Sequence, residues 1–464
     1  MSRVSQWTSL DRAAGGLILG LVILIIVTIF LGSQIGVRVS AGFADAQVGP
    51  LSPLTLTFSV AVNPTDVEPL LSLDTSTSLS TGPEAAGRVE WVDSNTLQFL
   101  PASPLQPDTI YTMTLGPGPI GENGELLRSE QTWTFSVRAP LIVFQAFPEN
   151  RSEIWAVDKE AQSPHRLVET DLRIYDFDAS PSGEFIVYSA YDKQGGLDLW
   201  IVRRDGKSSS KLLDCGAARC TIPSISPDST RVAYTREAPG LTPDSAPGAP
   251  RIYILDINSR QDSPLFEDSQ ILGYGPLWSP DGKRVSSFDG LQDQIRVVSL
   301  ETGEQVLLPS VIGSYLSWSP DSNQLAFIDA EDTLDGLRTV VNIADFTTGE
   351  VKNLLGQRDL LDFDYSALAW SPVEQSQLII GMRPQPDDPS DGLWLIDIDT
   401  IAGTTIAYEK GVTYQAPRWD LWGKAVLFQQ FKLGEAARPQ ISFWENGMDE
   451  PRVLAEGLSP YWLP

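Results

Sequence analysis

The sequence predicts an all-β protein in two folded parts behind one apolar helix, and three observations carry that expectation. Between Val37 and Arg138, short stretches such as Leu54-Thr55-Leu56-Thr57-Phe58-Ser59-Val60 and Gln131-Thr132-Trp133-Thr134-Phe135-Ser136-Val137 alternate apolar and polar residues, the mark of strands with one buried face. From Ala139 onward, strands recur in fours with a period of about 46 residues, punctuated by Trp278-Ser279-Pro280-Asp281-Gly282, Trp318-Ser319-Pro320-Asp321-Ser322 and Trp370-Ser371-Pro372. A fixed period of this size is the signature of a repeat architecture. From Ala13 to Leu31 there is no charge, and Leu, Ile and Val dominate; about 20 such residues in a helix cross a ~30 Å hydrocarbon layer.

Composition bounds what these parts can do. The chain has 464 residues, 42% of them hydrophobic and 9% aromatic, too long for one ordinary core and too apolar for disorder. Its net charge of -27 repels phosphate backbones, which excludes nucleic acid as a partner. The apolar stretch reads as an uncleaved anchor, because the nearest small-residue cleavage motif, Ala44-Asp45-Ala46, lies too far from Leu31. Arg3 and Arg12 precede it, with Asp11 and Arg38 blurring the balance, so the positive-inside rule puts the N-terminus in the cytoplasm. The expected organisation is a cytoplasmic segment at 1–12, a transmembrane helix at 13–36, a β-sandwich at 37–138 and a closed repeat unit at 139–464. That describes a single-pass protein of the cell membrane with the bulk of the chain extracytoplasmic.

The sandwich expectation rests on Leu54–Val60, Arg88–Val92, Thr96–Phe99, Ile110–Leu115 and Gln131–Val137, short strands at turn-bounded intervals. The order of Leu56–Asn63, Leu97–Pro101 with Leu105–Tyr111, and Gly121-Glu122-Asn123-Gly124 before Trp133-Thr134-Phe135 resembles the bacterial Ig-like domains of surface-layer and adhesin-type proteins.

In the repeat region, first strands are read near Tyr175–Phe177, Thr221–Ile225, Gly273–Trp278, Ser314–Trp318, Ser366–Trp370, Tyr414–Trp419 and Leu458–Trp462. Second strands are read at Leu141–Phe144, Phe185–Ser189, Arg231–Thr235, Arg284–Phe288, Gln324–Ile328, Gln377–Gly381 and Ala425–Gln429. Equal counts offset by one element predict a seven-bladed β-propeller in which Pro460–Trp462 supplies the innermost strand of the blade containing Leu141–Phe144. Such closure leaves no exposed edge. Six blades is the alternative if the weak unit around Trp419-Asp420-Leu421-Trp422-Gly423 is not a separate blade. The Ser-Pro-Asp-Gly phrase itself is a hairpin: Pro fixes φ, Asp bonds the local backbone, and Gly or Ser accepts the remaining turn geometry. The Trp before it is read as an inter-blade packing residue. These tracts, with Asp198-Leu199-Trp200-Ile201-Val202 and Gly392-Leu393-Trp394-Leu395-Ile396-Asp397, resemble the TolB-like, WD-repeat-like propellers of bacterial envelope proteins over residues 141 to 464. The pattern departs from them at Ser180-Pro181-Ser182-Gly183, Ser371-Pro372-Val373-Glu374 and Asp420–Gly423. The resemblance implies a binding platform, a fold that hosts many functions.

Chemistry-bearing residues are sparse. The two cysteines, Cys215 and Cys220, lack Cys-x-x-Cys spacing and a nearby His, so outside the membrane they read as a disulfide that stiffens one loop. The single histidine, His165, sits in a turn or at the start of an outer strand, and no Gly-x-Ser-x-Gly tract accompanies it. A nucleophile-histidine triad and a histidine-based metal site are therefore not expected, and the chain reads as a non-enzyme with no cofactor. Acids cluster at Asp329, Glu331, Asp332 and Asp335 and at Asp387, Asp388 and Asp391. They offer oxygens to calcium, but neither cluster has calcium-loop spacing, and solvated loops are the simpler reading. Long links between second and third strands gather on one rim, where loops on a rigid scaffold carry binding. The expected function is binding or scaffolding of a protein or a cell-envelope glycan through that rim, with Tyr191, Asp332 and Asp388 as candidate contacts. The alternative is a carbohydrate-active protein, lectin-like or a paired-carboxylate glycoside hydrolase.

Overall fold

The computed structural model describes residues 16–24, 36–75, 87–148, 151–193, 195–240, 242, 245–313, 315–333, 336–354, 364–384, 387–434 and 438–464. Residues 16–24 form an exposed helix, and among the described residues no helix is long and apolar enough to cross a membrane. The rest of the stretch expected to span, 13–15 and 25–35, lies outside the described residues. The chain divides into two compact units, Met1–Arg138 and Ala139–Pro464.

The first unit pairs two four-stranded sheets. One runs Val39–Ala41, Leu54–Phe58, Thr96–Pro101, Gly87–Asp93, and the other Gln47–Val48, Gln131–Val137, Ile110–Leu115, Leu71–Thr75. Alternation decides what faces inward: Leu54, Leu56 and Phe58 are buried, whereas Thr57 between them is exposed. Leu97 from the same sheet and Met113, Leu115 and Phe135 from the other complete one core. Tyr111 stacks on Phe135 with ring centroids 5.6 Å apart, and its hydroxyl accepts the Gln106 N–H at 2.9 Å, so the polar end of a buried ring is satisfied.

The second unit is built from four-stranded antiparallel meanders. Complete groups span 174–213, 219–264, 274–309, 317–353, 364–407 and 412–456. The first two of these merge into one eight-stranded sheet through the parallel pair Leu197 and Arg219. A further group takes its strands from both ends of the unit. Leu458–Leu463 pairs antiparallel with Leu141–Ala146, Leu141 opposite Leu463, Ile142 opposite Trp462 and Val143 opposite Tyr461, and Glu153–Val157 and His165–Val168 follow. The stretch Trp419–Gly423, where the repeat phrase is weakest, ends a first strand all the same: Val412–Trp419 pairs with Ala425–Lys432 in a sheet of its own.

The core of this unit is a series of apolar layers, each between neighbouring groups. Val143 and Ile154 meet Phe177 and Tyr188; Ala233 meets Trp278 and Val285; Ala367 and Ile379 meet Tyr414 and Phe428. The layer of Leu427 and Phe443 with Ile142 and Trp462 joins the 412–456 group to the group built from both ends of the unit. A meander buries only one face against a single neighbour, so layers on both sides are what a ring provides.

The turn phrase shows why its residue types recur. Ser279 Oγ donates to Asp281 Oδ1 at 2.5 Å and accepts the Arg284 N–H at 2.9 Å, and Asp281 Oδ1 accepts the Lys283 N–H at 3.0 Å. Gly282 closes the turn at φ 70°, and Ser322 takes the same place at 63°. The preceding tryptophan ties groups together through its N–H as well as its rings. Trp278 Nε1 donates to Ser224 O at 2.9 Å, Trp419 Nε1 to Ala369 O at 3.1 Å and Trp462 Nε1 to Arg418 O at 3.1 Å. Each acceptor lies on the first strand of the preceding group.

Candidate functional site

First strands do not pair cleanly along their whole length. Register shifts occur at Ile174/Asp176, Thr221/Ser224, Tyr274/Leu277, Tyr365/Ala367 and Gln415/Arg418. Bulges of this kind re-aim side chains and free backbone groups. At three of them Ile222, Gly275 and Ala416 have φ of 51°, 62° and 52°. Glycine enters that region without penalty, but β-branched Ile222 does not, and its conformation is held from the neighbouring group. Asp176 Oδ2 accepts the Ile222 N–H at 2.7 Å, and Asp178 Oδ2 accepts the Ile225 N–H at 2.8 Å. Thr235 Oγ1 receives the Gly275 N–H at 3.1 Å and Gln429 Oε1 the Ser459 N–H at 3.0 Å, so the device repeats.

Burial pushes the Asp176 and Asp178 carboxyls up to about 6. For Asp178 the Arg418 guanidinium works in the opposite sense. Arg418 lies over the Tyr461 ring at 4.5 Å and donates Nη2–H to its hydroxyl at 3.0 Å. Because both folded-state values lie above the ordinary aspartate value of 3.8, the stability these groups contribute is complete below about pH 4 and is lost as pH rises through about 6. Acidification from pH 7 to pH 4.5 is expected to raise the stability contributed by these carboxyls by about 1 kcal/mol each, read as a rise in melting temperature. Asp176→Asn with Asp178→Asn should flatten that slope, and an unchanged slope would rule the pair out as its source.

Beside this pair, residues from three groups meet. Tyr175 and Tyr274, 42% and 44% exposed, present their rings to solvent. Tyr191 packs edge-on against Tyr175 at 6.4 Å. The Arg219 guanidinium sits 5.9 Å over the Tyr175 ring and 3.8 Å from the Glu237 carboxylate. Arg219 Nε is buried with no hydrogen-bond partner among the described residues. Burial, followed by Tyr175, Asp176 and Glu237, raises the Tyr274 hydroxyl above its ordinary value. Arg219 is positioned by the Cys215–Cys220 disulfide, which closes the short loop it belongs to. The loop is fixed at its start, where Cys215 N–H donates to Asp198 Oδ1 at 2.8 Å while Asp198 Oδ2 takes Lys211 Nζ at 2.7 Å. Two exposed flat rings, one cation and one carboxylate on a stiffened base can stack on a ligand and grip a polar group.

Of the sequence-predicted contacts, only Tyr191 belongs to this cluster; Tyr191, Asp332 and Asp388 lie on three different groups. Asp332 is in strand rather than loop: Gln324–Thr333 pairs with Gly336–Asp345, and the backbone of Asp332 lies opposite Leu337. In the same cluster, Asp329 Oδ1 accepts the Ser310 hydroxyl at 3.1 Å and the Val311 N–H at 2.9 Å, and Asp335 lies outside the described residues. The solvated acidic loop expected at 387–391 is corrected at two of its three acids: Asp387 is exposed, but Asp388 and Asp391 are buried. Asp388 Oδ1 accepts the Ser390 hydroxyl at 2.5 Å, which holds its carboxyl below the usual range, and Asp391 pairs with Arg383 Nε at 3.2 Å. Among the described residues no three metal-ligating side chains converge. His165 is exposed at the start of its strand, with Nδ1 3.3 Å from Ser163 O.

Tyr175, Tyr274, Arg219 and Glu237 were not among the sequence-predicted contacts. A signal existed: Tyr175 and Tyr274 each precede the serine of a Ser-Pro phrase by five residues, the same place in two repeats.

A bacterial Ig-like domain model matches residues 41–137, so the first unit carries an Ig-like domain. Among curated proteins none matches the chain. Among solved structures the chain is similar to TolB from Acinetobacter baumannii, at 14% identity over 82% of each chain with a TM-score of 0.41. It is similar to a putative TolB from Agrobacterium tumefaciens, at 14% identity over 54% of this chain and 87% of that one, TM-score 0.40. An oligogalacturonate lyase from Vibrio parahaemolyticus is 12% identical over 68% of this chain and 86% of that one, TM-score 0.47. The chain thus joins a bacterial Ig-like domain to an all-β unit of four-stranded antiparallel meanders.

Proposed function

We propose that this chain is a membrane-anchored, extracytoplasmic binding protein that engages a protein partner through the surface of Tyr175, Tyr191, Tyr274 and Arg219. In this reading residues 13–36 are the anchor, the Ig-like domain is a spacer, and the closing group together with the six complete groups makes a propeller of seven blades. The observation that carries it is the pair of exposed tyrosine rings beside an arginine stiffened by the disulfide loop. Tyrosine and arginine dominate the energetics of protein interfaces, and pre-ordered side chains lose less entropy on binding. We read binding rather than catalysis because the neighbouring carboxylates Asp176 and Asp178 are engaged in holding the bulged strand at Ile222 and Ile225. A second reading, a lectin-like site, is favoured by the same flat rings, which also stack on sugar faces.

The two are separated by presenting the detergent-solubilised chain to a glycan panel and, in native membranes, to crosslinking with partner identification. The expected result is a specific protein adduct, weakened about 30-fold or more by Tyr175→Ala with Tyr274→Ala. Retained oligosaccharide would favour the lectin reading, and released sugar product would overturn both.

A further inference from the structure

The strands Arg231–Glu237 and Arg251–Asp256 set two cations side by side, Arg236 directly opposite Arg251 in antiparallel register. Opposed residues share one face of a sheet, and like charges so placed repel. Each guanidinium is oriented by part of its donor set. Arg236 Nη1 donates to Asp262 Oδ2 at 3.1 Å, and the group lies over the Tyr253 ring at 5.2 Å. Arg251 donates Nε–H and Nη2–H to Ser269 O at 2.9 and 2.7 Å, and among the described residues it makes no ion pair. Asp262 thus offsets one of the two charges, and the other has no described acid beside it in a chain of net charge -27. Arg236 Nε and Nη2 and Arg251 Nη1 keep donors without an acceptor among the described residues, and none of the three is sealed in the interior. The two arginines line a cavity of about 150 Å³ with Ala218, Ala238, Pro239 and Tyr253, and no described carboxylate shares that lining.

The geometry points to a binding site for a carboxylate on a short aliphatic stem, with Arg236 and Arg251 donating to its oxygens and Ala218, Ala238 and Pro239 flanking the stem. An acceptor placed between the two guanidinium groups removes their repulsion and gains charge-assisted hydrogen bonds. The volume is that of about five waters, enough for a carboxylate and two or three carbons. A free diacid and the side chain of a glutamate share this chemistry. Arg219 lies opposite Glu237 and Cys220 opposite Arg236, so the cavity is on the other face of the strands that carry Arg219 and Glu237. Where the occupant is a glutamate of the partner proposed above, the inference rests on that reading; the cavity itself does not.

Ligand-observed NMR titration of the full chain in detergent tests this, using glutarate, glutamate and glutamine each capped as the N-acetyl amide, and a capped peptide with one central glutamate. Capped glutamate is expected to bind at least tenfold more tightly than capped glutamine, because only the former offers a charged acceptor. Arg251→Gln should abolish that preference. Arg251→Lys keeps the charge and loses the planar fork, and should weaken capped glutamate about threefold. Lys283→Gln, which removes an exposed cation beside Glu301 in another group, should leave binding unchanged. A peptide bound more tightly than glutarate identifies a glutamate side chain as the source, and glutarate bound at least as tightly identifies the free diacid. Should Arg251→Gln fail to fold, the glutamate-to-glutamine ratio of the unaltered chain and the Arg251→Lys result decide. Equal binding of the two capped residues, a preference that survives Arg251→Gln, an equal loss from Lys283→Gln, or no binding of any acid at millimolar concentration would each overturn the site.

Discussion

Removing residues 458–464 is expected to unfold the second unit as a whole rather than fray its end. Leu463 is fully buried in the layer shared with the 174–213 group. Trp462 packs against Phe443 in the layer shared with the 412–456 group. Tyr461 lies against Phe177 at 5.1 Å. One strand therefore serves both neighbours. Arg204 adds a polar tie: Nη1 donates to Leu463 O at 2.8 Å and to Pro464 O at 2.7 Å, and Nη2 to Ala139 O at 2.7 Å. Truncating buried side chains of this size costs about 3–5 kcal/mol each, so losing all three removes on the order of 10 kcal/mol. That equals the whole stability of a typical domain, and the strand Leu141–Ala146 would be left as an open edge. Scanning calorimetry should show the transition of the second unit lost or shifted down by tens of degrees. An unchanged transition would mean that the strand does not close the unit.

Trp278→Ala should be the most damaging single substitution among the repeat tryptophans. The ring fills the layer between its group and Ala233 of the preceding one, Arg231 covers it at 4.7 Å, and its N–H reaches Ser224 O. A loss of about 3–5 kcal/mol is expected from the cavity. Trp278→Phe should cost about 1 kcal/mol beyond the change in volume, for the bond it deletes. Because Trp318 Nε1 has no hydrogen-bond partner among the described residues, Trp318→Phe should cost less than Trp278→Phe. Urea unfolding curves for the three variants check the order, and equal costs for the two Phe substitutions would contradict the role given to the indole N–H.

What could be read from the sequence was what one strand or one turn dictates locally. Alternation at Leu54–Phe58 fixes which residues are buried, and the Ser-Pro-Asp-Gly phrase carries its own hydrogen bonds, so an Ig-like domain and an all-β repeat unit were both legible. Side chains satisfied from another segment were not. Asp391 reads as one of three surface acids but is buried against Arg383, Asp329 is bonded by Ser310 and Val311, and the strand containing Asp329 and Asp332 continues past the place where the acids suggest a loop. The tyrosine surface was hardest to see, because it needs register shifts in two first strands and an arginine from a third segment held by a disulfide. Only Tyr191, at the end of a regular strand, was singled out in advance.

The most direct test of the binding account places a photoreactive amino acid at Tyr274 in the full chain, in its native membrane, and compares it with one at Val306, which is equally exposed at 44% on a fourth strand of the same group. The account predicts a discrete protein adduct from position 274 that is absent from position 306 and is lost when Arg219→Ala is added. Equal labelling from both positions, or an adduct at 274 indifferent to Arg219, would contradict it.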